Sequence, residues 1–212
     1  MMQTCPLCAS PDIGLYHRGN EREYLSCRHC ELVFVPAWQH LPAAEEKAVY
    51  DQHENHPGDP GYRRFLGRLF TPLAARLAPG AHGLDFGAGP GPTLSLMFEE
   101  AGHSMAIFDP FYAPDASVWQ RHYDFITATE VVEHLAAPGR EIERLLDRLR
   151  PGGWLGLMTK RVHPREAFGD WHYIRDPTHV TFFSESTFQW LGRRFDLDVT
   201  FPADDVVLLQ KR

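Results

Sequence analysis

Four cysteines open the chain as two pairs, Cys5-Pro-Leu-Cys8 and Cys27-Arg-His-Cys30, and no other cysteine follows. Two thiol pairs separated by 18 residues have the spacing of paired metal knuckles, each offering two thiolates to one tetrahedral zinc. Iron and a redox dithiol are the other uses of such pairs. Four protein ligands leave no position open for substrate. Cys5, Cys8, Cys27 and Cys30 are therefore expected to hold a structural zinc, with His29 a bystander inside the second knuckle. The apolar residues between the knuckles are too few to fold alone, so the metal would supply much of the local stability.

The second constellation is Asp85-x-Gly87-x-Gly89-x-Gly91. A short apolar run ends at Asp85, the glycines allow a tight turn beside a ligand, and Thr93–Ala101 resumes with helical periodicity. The first N–H groups of that helix would point back at the glycines. Strand, glycine loop and helix open a nucleotide-type α/β site. A dinucleotide fingerprint fails here, because its third glycine position, counted from Gly87 and Gly89, is Pro92. Asp109 ends the next apolar stretch roughly 20 residues beyond the glycines, where an acid can take both hydroxyls of a ribose. Thr129 and Glu130 close the run from Tyr123 and reach the carboxyl edge of the predicted sheet, where ligands of open α/β sheets bind. Glu133 and His134, just beyond, read as residues that order the loop and cap the next helix.

Bases and aromatic side chains crowd together later, with His163, Trp171, His172, Tyr173, Asp176, His179, Phe182 and Phe183 in about 20 residues, a mixture suited to a small-molecule pocket. His179 and His172 are the candidates for a general base, because imidazole titrates near neutral pH.

Taken together, these segments resemble the class I S-adenosylmethionine (SAM) methyltransferases. Asp85-Phe-Gly87-Ala88-Gly89-Pro-Gly91 is similar to the family's first motif, Glu133-His134-Leu135 to the loop after its fourth strand, and Pro151-Gly152-Gly153 to the turn before its fifth. Asp176-Pro177-Thr178-His179, followed by Phe183-Ser184, resembles an element of quinone-biosynthetic and sugar methylases. Several of those also begin with a four-cysteine zinc module. The resemblance implies that Asp85 holds the methionine amino group, that Gly87, Ala88, Gly89 and Gly91 line the cofactor, and that Asp109, Pro110, Thr129 and Glu130 complete its site. It implies SAM as cofactor, zinc as structural metal and a small-molecule acceptor, quinone-like or a sugar. Two other readings carry the same parts, a ribosomal-RNA methyltransferase with a zinc module and a SAM- and zinc-binding interaction protein without catalysis. The formal net charge of −7 speaks against a nucleic-acid surface.

The elements that must position these residues follow from periodicity. Residues 1–40 form the expected zinc ribbon, with a hairpin from Ile13–Tyr16 and Tyr24–Ser26 and a strand at Leu32–Val35. Residues 41–79 form a linker with a short helix at Ala43–Tyr50 and an amphipathic cover helix from Tyr62 to Leu77, which Pro72 is placed to bend. Its arginines read as a solvated face. Residues 80–212 form the methyltransferase domain, an α/β Rossmann-like sheet, mostly parallel, closed by an antiparallel hairpin over Phe195–Leu209. Between Pro110 and His122 the chain is short for this fold, Ala116–Trp119 being the only strand candidate, and Phe111, Tyr112 and Trp119 are alternative partners for an adenine ring. No long apolar run or signal-like start is present, so a cytoplasmic protein without a membrane span is expected.

Overall fold

The computed structural model describes residues 3–19, 21–52, 56–162 and 165–212. The chain begins with β1 (Ile13–Gly19), β2 (Arg22–Cys27) and β3 (Val33–Phe34), then α1 (Ala43–Tyr50) and α2 (Pro60–Ala74). β4 (His82–Phe86), α3 (Thr93–Glu100), β5 (Ser104–Phe108), β6 (Tyr123–Thr129), α4 (Pro138–Arg148) and β7 (Leu149–Met158) alternate as expected of an α/β unit. α5 (Arg165–Phe168), β8 (Thr181–Phe182), α6 (Glu185–Phe195), β9 (Leu197–Ala203) and β10 (Val206–Lys211) complete it.

Local chemistry explains the helix ends. Asp59 caps α2 by accepting from the Gly61 amide at 2.7 Å, with Pro60 in the first turn, where its missing N–H costs nothing. Pro72 lies inside α2 without ending it, and the helix runs on to Ala74. Ser184 and Thr187 form a reciprocal cap at the start of α6, a device worth about 1 kcal/mol, and Asp196 ends it in the left-handed conformation. α2 turns Leu66, Leu69 and Leu73, all fully buried, onto the sheet beside Phe98, Phe125 and Leu208, each contributing about 1.5–3 kcal/mol of burial. Three arginines of this region are spent within the molecule: Arg63 pairs with Glu100, Arg68 with Asp205 at 2.6 Å, and Arg76 lies over the Trp154 ring.

The main sheet has six strands in the order β5-β4-β6-β7-β10-β9. β5, β4, β6 and β7 are parallel, and β10 joins β7 and β9 antiparallel, which is the class I methyltransferase arrangement with its closing hairpin. Among the described residues no strand forms between β5 and β6. Ala116–Gln120 forms a 3-10 turn instead, with Asp115 accepting from both the amide and the hydroxyl of Ser117. That capping geometry favours a tight helical start over extension. The second sheet was not foreseen in full. Its order is β1-β2-β3-β8, so the cysteine module takes its fourth strand from a segment far down the chain, outside the 1–40 range. Among the described residues no helix is long and apolar enough to cross a membrane.

Candidate active site

β4 delivers the chain to the glycine loop at the carboxyl edge of the sheet. Gly87 adopts φ +74°, and a β-carbon there would overlap Val131, so the loop folds against the next strand's exit only with glycine at this position. The Gly87 amide donates to the Phe108 carbonyl at 2.8 Å, tying the loop to β5. Asp109 completes the tie. One carboxylate oxygen accepts from the Gly89 amide at 3.0 Å, and the other accepts from Phe111 and Tyr112 at 2.8 and 3.1 Å.

These loops border a cavity of about 430 Å³. Gly87, Ala88, Gly89, Asp109, Pro110, Thr129 and Glu130 line it, as do Phe111, Tyr112, His134, Asp176 and His179. α1 and α2 cover it with Glu46, Tyr50, Tyr62 and Phe65. Of the three candidate partners for an adenine ring, Phe111 and Tyr112 face the cavity. Trp119 does not: it packs on Phe86 and Phe108, with Arg144 3.4 Å over its ring.

Asp85 and Gly91 stand outside the wall. Asp85 is buried beneath the loop, accepting from Thr127 Oγ1 at 2.7 Å and Ser95 Oγ at 3.1 Å. Burial raises its carboxyl to about 6, against the two hydroxyls that lower it, with the Asp109 charge adding to the rise. Its oxygens brace β4, α3 and β6 under the loop. Gly91 accepts from the Thr93 amide at 2.7 Å where α3 begins.

The two candidate bases separate. His172 is exposed, its Nε2 accepting from Lys160 Nζ at 2.7 Å, because the 3-10 turn over His172–Arg175 directs Trp171, Tyr173 and Ile174 inward and His172 out. His179 lies in the cavity wall. Its Nδ1–H donates to the Tyr173 carbonyl at 2.7 Å, which leaves the lone pair of the neutral ring on Nε2. Burial lowers its pKa below the usual 6.5, and Asp176 opposes that effect. His163 lies outside the described residues.

Glu133 and His134, expected to order the loop, form a polar centre of their own with Tyr173 and His179. Glu133 is wholly buried and accepts from the Tyr173 hydroxyl, while its Oε2, like Thr129 Oγ1, has no hydrogen-bond partner among the described residues. Burial and the neighbouring Glu130 raise Glu133 to about 8. Glu130 itself is raised to about 7 by burial and by Asp205, with Lys160 and Tyr173 opposing. It holds φ +52°, an uncommon conformation for a non-glycine residue and one that accumulates at functional sites. Glu133, His134 and His179 each offer one ligand atom, all within 4.8 Å of one another. Both imidazoles donate Nδ1–H to a backbone carbonyl, His134 to Thr178 and His179 to Tyr173. That is how metal-binding histidines are commonly oriented, so this set is able to hold a divalent cation.

The four cysteines meet outside the cavity lining. Cys5 and Cys30 Sγ are 3.5 Å apart, as are Cys8 and Cys27, with all four sulfurs within 4.8 Å and none in a disulfide. The edge of a tetrahedron with ~2.3 Å zinc–sulfur bonds is about 3.8 Å, so the thiols fit zinc with little movement.

A mostly parallel sheet with a glycine loop at its carboxyl edge, an acid closing the next strand and a cavity above them defines a class I methyltransferase. Residues 60–200 match the family described as Methyltransferase domain, and the chain belongs to it. The ubiquinone biosynthesis O-methyltransferase of Shewanella sp. (strain ANA-3) is 28% identical over 93 residues, which is 44% of this chain and only 39% of that relative. Among solved structures, Burkholderia thailandensis 1,6-didemethyltoxoflavin-N1-methyltransferase, with its substrate and S-adenosylhomocysteine (SAH) bound, matches with a TM-score of 0.54 at 17% identity, over 92% of this chain and 97% of its own. Magnesium protoporphyrin IX methyltransferase from Synechocystis PCC 6803, with bound SAH, matches with a TM-score of 0.50 at 12% identity, over 80% of this chain and 94% of its own. At these identities the likeness is one of fold.

Proposed function

We propose that the chain transfers the SAM methyl group to a hydroxyl of a small aromatic acceptor, a phenol or quinol, with His179 as general base. The carrying observation is the His179 imidazole in the same cavity as the glycine loop, its lone pair set on Nε2 by the Tyr173 carbonyl. Gly87, Ala88 and Gly89 with Asp109, Pro110, Thr129 and Glu130 form the donor side in this reading, and Asp85 and Gly91 support it from below. An imidazole weakened by burial is poorly matched to an alkyl alcohol. It is adequate for a phenol, whose pKa of about 10 is far lower than that of an alcohol. Tyr50, Phe111 and the His134 ring supply aromatic walls. The displacement needs the oxygen held near ~3 Å from the methyl group and in line with the departing sulfur, and positioning supplies most of the rate.

The test is SAH release over a panel of phenols, quinols and sugars. On the accepted substrate, His179→Gln is expected to lose about 100-fold or more in kcat with SAH affinity unchanged, and His172→Gln to stay within about twofold. Full turnover in His179→Gln removes the general base. Sugars as the only acceptors remove the phenol.

The unpartnered Oε2 of Glu133 favours a second reading of how the oxygen loses its proton. Glu133, His134 and His179 would hold a divalent cation, which when bound supplies Lewis-acid stabilisation of the oxyanion. Protein with its cysteine module zinc-loaded is titrated with Co2+. Visible absorption without an added thiolate charge-transfer band, lost in Glu133→Gln, supports the cation; its absence leaves His179 acting alone.

A further inference from the structure

The hairpin of the cysteine module holds a turn that forms part of the cavity wall. Asp176-Pro177-Thr178-His179 is a turn, closed by the His179 amide on the Asp176 carbonyl at 3.3 Å and by Asp176 Oδ1 on the Thr178 amide at 2.9 Å. Arg22, the first residue of β2, grips both ends of this turn. Its Nη1 donates to the Asp176 carbonyl at 3.3 Å and its Nη2 to the His179 carbonyl at 3.0 Å. Two residues on, and so on the same face of the strand, the Tyr24 hydroxyl donates to the Ile174 carbonyl at 3.2 Å. Beyond the turn the ladder continues: Val35 donates to Val180 at 2.8 Å, and β8 pairs with β3.

Asp176 and His179 thus line the cavity while their carbonyls are held by Arg22 of the module. A guanidinium suits this task. It is planar and rigid, and its two N–H groups address two acceptors at a fixed separation, which an ammonium cannot do with one geometry. Packing of Tyr24, Phe168 and Phe182 holds the region together, but apolar contacts are non-directional and do not fix the angle of a turn.

We propose that Arg22 is a positioning residue of the acceptor site: its fork on the Asp176 and His179 carbonyls sets how the His179 imidazole is presented to the cavity. The N-terminal module is then a structural part of that site. The inference rests on the reading of His179 as an acceptor-side residue, yet its test needs no acceptor.

Wild type, Arg22→Gln and Arg22→Lys are prepared as full chains with the cysteine module metal-loaded. The first readout is the imidazole Nδ1–H resonance of His179 in 15N-edited NMR, assigned by its loss in His179→Gln. It is visible only while the Tyr173 carbonyl holds the proton. The second is amide exchange at Thr178–Thr181, and the controls are SAH calorimetry and metal content. Arg22→Gln is expected to lose the Nδ1–H signal and to exchange these amides about tenfold faster, with SAH affinity within about twofold and metal content unchanged. Arg22→Lys, able to reach one carbonyl, is expected to recover the signal in part. An unchanged signal and unchanged exchange in Arg22→Gln overturn the proposal. So does a variant that loses SAH affinity and metal together with the signal, which assigns Arg22 to the fold at large. Full turnover in His179→Gln would sink the general base while leaving this result standing.

Discussion

Glu133 is the residue whose energetics are most exposed to test. Its carboxyl is wholly buried, one oxygen facing the Tyr173 hydroxyl and the other facing no donor among the described residues, and burial with the Glu130 charge raises its pKa from 4.5 to about 8. The sign follows from proton counting. Between pH 4.5 and about 8 the folded chain holds a proton that the unfolded chain has released. Stability from this group is therefore full below 4.5, falls as pH rises through that window and levels above about 8, a change of a few kcal/mol at most. Glu133→Gln keeps the acceptor for Tyr173 and removes the proton. Without added divalent metal, the melting temperature of the variant relative to wild type should rise between about pH 5 and about pH 9. Parallel curves would mean that Glu133 titrates normally in the folded chain. Asp109 accepts from three backbone amides of two loops. Asp109→Asn offers one acceptor oxygen and no charge, so Gly89 or the Phe111–Tyr112 pair is released. Calorimetry should show SAH affinity lower by about 10- to 100-fold, the value of one or two charge-assisted hydrogen bonds.

Among the elements, α1 is a weakly anchored helix, with no buried residue. It is held over the cavity by Tyr112 donating to Asp51 at 2.7 Å, by Lys47 over the Tyr112 ring, and by Tyr50 against Phe111 and His134. Elements with few buried apolar contacts open at low cost. Amides of α1 are therefore expected to exchange fast in the free chain and about tenfold or more slower with SAH bound, and Tyr112→Phe to reduce that protection. Equal exchange in the two states would make α1 a bystander. Elements of this size were legible where periodicity is long or motifs are local. The helix at Ala43–Tyr50, the cover helix, the glycine loop, the strand ending at Asp109 and the terminal hairpin all stand where residue spacing puts them. Short pieces were not legible. β8 has two residues, too few for any period, and its pairing with β3 joins Phe182 to Val33 across most of the chain. Ala116–Trp119, the only strand candidate of its stretch, falls in a 3-10 turn instead, and Asp115 before Ser117 is the capping signal for it. The choice between His172 and His179 needed the turn geometry, since both are histidines in one aromatic stretch.

At the scale of the whole molecule, the question is whether the cysteine module is an appendage or part of one cooperative unit. Its hairpin, β3 and β8 enclose a core in which Tyr24, Val33 and Val35 cover Phe168, Trp171, Ile174 and Phe182. A second seam lies at the first knuckle, where the Gly139 amide donates to the Pro6 carbonyl at 3.2 Å and a β-carbon on Gly139 would overlap the Leu7 carbonyl. Each large apolar side chain uncovered by removing residues 1–40 forfeits up to about 1.5–3 kcal/mol, and four of them together rival the 5–15 kcal/mol that holds a typical domain folded. Residues 41–212 alone should therefore melt more than about 10 °C below the full chain, or fail to stay monomeric, and should bind an apolar dye through the uncovered face. The full chain should melt in a single calorimetric transition that moves down as a whole when the cysteine metal is chelated. Two transitions, the upper one indifferent to chelation and equal to that of residues 41–212, would show an independent module. In that event the shared strand would be a weak contact, and the Arg22 fork would have to hold the Asp176–His179 turn without support from the core beneath it.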